Sequence, residues 1–270
     1  LSQFPVLVEF NSSISGFSYN SLLSSQGDDL RFFSADGEEL PYEIETWNPA
    51  GTSRIWVRSG AISGNSTVIT AVWGKSTDST SPSYVSDKSA WSNGYLGAWH
   101  FQNLVGNALA DSSPKNYQGT AEGDGVSVTT GQVGQAVTLA GSDDRVNLGR
   151  SAGNPGKVFT VSLWVQMAPG ANLNQGDVLL GNKNTNTGTS GWNLYKGTSS
   201  STRLYLRASG SQSRYKTAVT SWNNGNWYHL AVAFDGSTGA TFYANGSSLG
   251  TSNSIDLTVD SDEDLLLGDA

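Results

Sequence analysis

The sequence contains no cysteine. That absence removes disulfides, thiolate nucleophiles and cysteine-based zinc sites together. Histidine is scarce too: His100 and His229 are the only two. Two histidines so far apart make a poor zinc site. Charged residues are 14% of the chain, and 23 acids against 15 bases leave a net charge of −8. An acidic surface repels phosphate backbones, so nucleic acid is not an expected partner. No run approaches the ~20 apolar residues of a membrane-spanning helix, so no membrane insertion is expected. A signal-peptide pattern is missing as well. The chain opens on Leu1 in a strand-like run, which reads as a processed product or an excised piece.

What the 270 residues do contain is glycine, 32 of them, and a surplus of Ser, Thr and Asn between aromatic and β-branched runs. This reads as all-β with many turns. Residues 222–236 (WNNGNWYHLAVAFDG) alternate, with Leu230, Val232 and Phe234 on one face and His229, Ala231 and Ala233 on the other. Asp235-Gly236 marks a turn, residues 241–244 the return strand, and Asn245-Gly246 a second turn. Further strands are expected at 5–10, 28–33, 40–47, 53–58 and 67–73. Beyond these come 94–101, 126–129, 136–139, 145–148, 158–167, 177–181, 192–196, 203–207 and 216–219. In 158–167, Phe159, Val161, Leu163 and Val165 share a face. Residues 76–89 are rich in Ser, Thr and Asp, contain Pro82 and lack periodicity; they read as a linker, with a domain boundary near Ser86. The spacing between strands suits sandwiches rather than βαβ units. The sequons at Asn11, Asn65 and Asn245 are of a kind that chance supplies at this Ser/Thr density.

Two resemblances rest on particular residues. The run Asp29-Leu30-Arg31-Phe32, the Asp36-Gly37 turn, residues 40–47 (LPYEIETW) and Ile55-Trp56-Val57-Arg58 make residues 1–85 resemble DUF2341, a small β-sandwich domain. Residues 97–101 (GAWHF), 110–113 (ADSS), 131–136 (GQVGQA), 143–146 (DDRV) and 159–165, with 227–236, make residues 91–270 resemble a bacterial laminin-G-like domain. That resemblance implies a concanavalin A-like jelly roll, a fold that most often binds glycan and catalyses only in some branches. The family's closing strand, rich in G-x-I-D-E-V-x-I, does not follow residues 265–270 (LLLGDA). The expectation is therefore a sandwich one strand short, with an open edge.

Chemistry is sparse. A glycosidase of this fold carries carboxylates spaced E-x-D-x-x-E on one strand. The nearest approach is Glu43-Ile44-Glu45, with Asn48 where the third acid would stand; these glutamates read as a solvated strand face. No nucleophile elbow is present. Both histidines read as satisfied structural groups, and Trp99, Trp164 and Tyr228 as core. Calcium wants six to eight oxygens from loops. Asp111, and behind it Asp143 and Asp144, are the candidate ligands in the second domain; the alternative for Asp111 is an Asx turn cap. The acidic run at 256–264 does not match an EF-hand and reads as solvated. Glycan contact would use aromatic faces with neighbouring polar groups. Trp192, Arg207, Arg214 and Trp222 are the candidate ligand-binding residues beside the polar loop 182–191, with core packing the alternative for the two tryptophans.

The sequence thus predicts two β-sandwich domains, 1–85 and 91–270, without a catalytic residue. The expected role is a binding or adhesion module for glycan or a cell-surface protein, with structural calcium. It would act outside the cell or at its surface, the periplasm being the other option. The first alternative is an assembly subunit of a surface filament or envelope complex, self-associating through the open edge. The second is a glycan-active enzyme.

Overall fold

A computed structural model describes residues 1–62, 64–168, 178–182, 191–196, 203–208, 213–218, 225–236, 239–252 and 262–269. For residues 65, 195–196, 203–208, 213–218, 252 and 269 it describes the backbone alone. The chain forms two compact units, both built of β-sheet. The first holds residues 1–102, 110–116 and 133–136; the second holds 103–109, 117–132 and 137–270. The first unit therefore runs past the boundary expected near Ser86, to Gln102. Residues 94–101, expected as a strand, carry no strand at all. Their aromatic and small residues serve packing rather than a ladder.

Five strands build the first unit: β1 (Pro5–Phe10), β2 (Arg31–Ser34), β3 (Tyr42–Thr46), β4 (Ser53–Arg58) and β5 (Ile69–Val72). They pair as β1-β4-β3 and β2-β5. Alternation places Phe10, Leu30, Phe32, Tyr42, Ile55 and Val57 in one apolar cluster. Burying each such side chain contributes roughly 1.5–3 kcal/mol. The polar residues of the first signature lock the loops around that cluster. Buried Asp29 accepts the amide N–H groups of Leu23, Ser24 and Gly74. Burial alone would raise its carboxyl pKa, but these donors favour the carboxylate and hold it below the usual value. Arg31, 9% exposed, donates from one guanidinium nitrogen to the carbonyls of Asp28 and Leu30, and from another to those of Asp78 and Thr80. The stretch read as a linker is thus held to the unit. It contains two short 3₁₀ turns, Ser76–Asp78 and Ser83–Val85, and Tyr84 donates to Glu39.

The second unit begins with β6 (Leu104–Val105), β7 (Ala108–Leu109), β8 (Gly119–Glu122) and β9 (Ser127–Thr130). After β10 (Gln135–Thr138) come β11 (Arg145–Gly149), the single turn α1 (Arg150–Gly153), β12 (Val158–Gln166), β13 (Val178–Gly181) and β14 (Trp192–Lys196). The last six strands are β15 (Arg203–Ala208), β16 (Ser213–Ala218), β17 (Trp227–Asp235), β18 (Ala240–Ala244), β19 (Ser247–Ser252) and β20 (Leu265–Asp269). One sheet runs β16-β15-β14-β13-β20-β11-β8-β7-β6 and a second runs β12-β17-β18-β19. The two face each other as a concanavalin A-like sandwich: Phe159 of β12 meets Trp192 of β14 at 5.5 Å and stacks on Phe234 of β17 at 4.3 Å. The run Leu265–Asp269, read as the segment before a missing strand, is itself interior, paired with β11 on one side and β13 on the other.

Candidate functional site

The site grows out of the β12–β17 ladder. These strands pair antiparallel in register, placing Trp164 opposite His229 and Gln166 opposite Trp227. Period-2 alternation sends Tyr228, Leu230, Val232 and Phe234 inward. Trp164 and His229 therefore share the outer face, with ring centroids 5.1 Å apart. Trp164 keeps 41% of its surface in solvent, correcting its reading as core. Tyr228 is buried, as expected.

A turn completes the wall. Asn245 and Gly246 link β18 to β19 with φ of +48° and +78°. Asn and Gly tolerate this left-handed region best. The turn brings Asn245 against β17, where its N–H donates to the His229 carbonyl and its Oδ1 accepts the His229 N–H, at 2.8 and 2.9 Å. The opposite rim is tied down too. Gln166 Nε2 donates to the Gly225 carbonyl, and the Gly225 N–H donates to Met167. The result is an open cleft of about 780 Å³, lined by Gln132, Trp164, residues 225–229, Asn245 and Gly246. Ligand clefts fall in this size range. The lining supplies ring faces and carboxamides; among the described residues it contains no Asp, Glu, Lys or Arg. Burial lowers the His229 pKa, which keeps the imidazole neutral near pH 7.

The first unit contains a different cluster. The outer face of β3–β4 is covered by residues 91–100 and 111–113, so the glutamates read as solvated are not. Glu45 lies at a β-bulge that leaves it without a cross-strand partner, and its side chain is 1% exposed. Its carboxylate pairs with His100 Nδ1 at 2.6 Å and accepts Trp56 Nε1. Glu43 accepts Trp91 Nε1 and Ser112 Oγ. Burial by itself would raise the Glu45 carboxyl and lower the His100 imidazole. Their mutual hydrogen bond and charge outweigh it, so Glu45 lies below its ordinary pKa and His100 above. Glu45 Oε1 and His100 Nε2 are buried with no hydrogen-bond partner among the described residues. His100 is therefore structural but only half satisfied.

The expected site residues fare as follows. Trp192 is 2% exposed and donates to the Gly153 carbonyl; it is core, because its strand faces Phe159 across the sandwich. Arg207 and Arg214 are cross-strand neighbours on β15 and β16, strands described by backbone alone. Trp222 lies outside the described residues.

Two of the three calcium candidates, Asp111 and Asp144, accept hydrogen bonds from the chain's own donors. Asp111 belongs to the first unit, not the second, and is buried. Its Oδ1 accepts Ala98 N–H and Ser113 N–H, and its Oδ2 accepts Ser113 Oγ. Asp144 accepts Gly125 N–H on Oδ1, and Ala140 and Gly141 N–H on Oδ2. These amides favour its carboxylate and hold the pKa below the ordinary value. Asp143 is exposed. These bonds satisfy the Asp111 and Asp144 carboxylates with the chain's own donors. Among the described residues, no group of three or more His, Asp or Glu could hold a metal. The Asx reading of Asp111 therefore accounts for its position.

Sequence reasoning missed the cleft, although a signal existed. The phase that puts Phe159, Val161, Leu163 and Val165 inward puts Trp164 outward.

Residues 140–270 match the family model of the concanavalin A-like lectin/glucanases superfamily. Residues 26–90 match the domain of unknown function DUF2341. No curated protein sequence matches. Among solved structures, the chain is similar to the receptor binding domain of botulinum neurotoxin C/D mosaic serotype, at 17% identity and TM-score 0.48, over 62% of this chain and 42% of that one. It is similar to the binding domain of Paraclostridial Mosquitocidal Protein 1, at 16% identity and TM-score 0.46, over 62% and 43%. A third similarity is to the CBM40 of the Ruminococcus gnavus IT-sialidase, at 13% identity and TM-score 0.32, over 41% and 63%. The chain spans less than half the length of the two toxin domains.

Proposed function

We propose, from the premise that the chain carries a DUF2341 domain followed by a laminin-G-like domain of concanavalin A type, that it is a carbohydrate-binding module. It acts through the Trp164–His229 cleft, without catalysis. One observation carries the reading: an indole left 41% exposed in an open cleft that also holds the fixed Asn245 carboxamide. An indole face open in a cleft offers a ligand a large, rigid apolar contact beside polar groups. A sugar offers what the cleft complements, an apolar C–H face for the ring and hydroxyls for the amides. Among the described residues the lining provides no carboxyl pair for general acid and base. A module of this kind belongs at a cell surface or outside the cell, where its glycans are.

The test is a glycan array probed with the full chain and with Trp164→Ala. Retention of a defined glycan by the parent and its loss from the variant would support the reading. Equal signals from both would move recognition away from this cleft.

A further inference from the structure

The cleft's charge and its fixed hydrogen bonds say which sugars fit. We infer that it takes an uncharged saccharide by direct contact, with no bridging cation. The inference rests on the carbohydrate reading above and narrows it.

The first argument is electrostatic. A sialic acid, uronic acid or sulfated sugar would bring an anion into contact with the cleft wall. No Lys or Arg lines that wall among the described residues. Desolvating a charge without a partner is expensive. The chain's net charge of −8 also repels an approaching anion. His229 does not supply the missing cation, because it sits half-buried against Trp164 with no carboxylate among the described lining residues to hold its proton.

The second argument concerns cations. Calcium bridges a sugar's hydroxyls only where the protein presents several oxygens, carboxylates above all. Among the described residues the lining presents carboxamides, backbone and rings, and no carboxylate.

The third is pre-organisation. The Asn245 carboxamide is oriented by the His229 N–H it accepts, so its Nδ2 donor faces away from that bond. Gln166 and Met167 hold the Gly225 rim. Neutral hydroxyls both donate and accept, as carboxamides do. A site built to pair with hydroxyls rejects ligands that leave its polar groups unmatched.

The test is isothermal titration calorimetry on the full chain. Cello-, laminari- and manno-oligosaccharides form the neutral set; sialyllactose and a sulfated chondroitin oligosaccharide form the acidic set. Each is run with and without EDTA, on the parent, Trp164→Ala and Asn226→Ala. Trp164 and Asn226 are both exposed, so the variants keep the core, and a thermal melt checks this. The expected result is binding of a neutral oligosaccharide, unchanged by EDTA and weakened about 30-fold by Trp164→Ala, the loss of one anchoring aromatic. Trp164-dependent binding of an acidic sugar, or loss of binding in EDTA, would overturn the inference and leave the carbohydrate reading standing. Failure of both sets to bind would overturn both.

Discussion

His100 and His229 are the same side chain in opposite surroundings, one in each compact unit. His100 is enclosed by Trp56 and Trp91 and bonded to a buried carboxylate, which lifts its pKa above the ordinary 6.5. His229 is half-buried beside an open indole with no charged partner among the described lining residues, and burial moves its pKa down. Burial by itself penalises the charged form; burial with an opposite charge can reverse the sign. The first unit has thus enclosed charge within its structure, while the described lining of the second unit's cleft is uncharged.

The sharpest way to break this contrast is to remove one half of the buried pair. His100→Ala leaves Glu45 enclosed without its counter-charge. We expect a loss of about 3–5 kcal/mol in the first unit. Urea denaturation checks this, with an early transition for the first unit and an unmoved one for the second. The double variant Glu45→Gln with His100→Gln should recover part of the loss, since it leaves no uncompensated charge.

The pH dependence should follow the same pair. His100 has a raised pKa, so its contribution is complete below 6.5 and is lost as pH rises through the folded value. Glu45 has a lowered pKa, so its contribution is complete above 4.5 and is lost as pH falls through the folded value. Glu43 and Asp111 add negative charge that favours the imidazolium. The pair therefore stabilises most between about 4.5 and 6.5. Melts across pH should show the first unit's transition falling on the alkaline side in the parent and flat there in the His100→Gln variant.

A smaller effect is expected in the second unit. Asn245→Ala places a Cβ-bearing residue without a capping amide at φ +48° and removes the acceptor of the His229 N–H. The expected cost is about 1–2 kcal/mol, read by thermal melting, together with weaker sugar binding. The smallest expected effect is none: EDTA should leave the melting temperature unchanged, because Asp111 and Asp144 are bonded to the chain's own donors. A clear drop would restore calcium as a structural component.

Much of the fold was legible in the residues. The phase of β17 was readable from WYHLAVAFD, and β1, β4 and β14 begin and end where alternation placed them. Segments without alternation were not. β8 is Gly119-Thr120-Ala121-Glu122, too small and mixed to announce a strand, and Gly119 has Leu148 and Val146 packed where a side chain would go. β20 reads Leu265-Leu266-Leu267, a run without alternation, and its place between β11 and β13 could not be read from it. The site was less legible. Glu45 read as solvated because local alternation cannot reveal what later chain covers the outer face. Trp192 read as a binding candidate because a tryptophan beside a polar loop looks alike whether its strand faces core or solvent. Trp164 read as core because apolar neighbours surround it in sequence, although they point the other way.

Arg31 has a further consequence, for proteolysis. Residues 76–89, full of Ser, Thr and Asp, have the composition of a segment that proteases nick. Lys75 stands at its start with a side chain 71% exposed, a natural trypsin target. Cleavage requires several residues on either side to enter the protease cleft as an extended strand. Here the Asp78 and Thr80 carbonyls are held by a buried guanidinium, and a 3₁₀ turn begins at Ser76. Drawing the bond into the enzyme requires these carbonyls to leave Arg31, so we expect the rate of cutting to report local opening of this segment: its population where reclosing is fast, its rate where cleavage is faster.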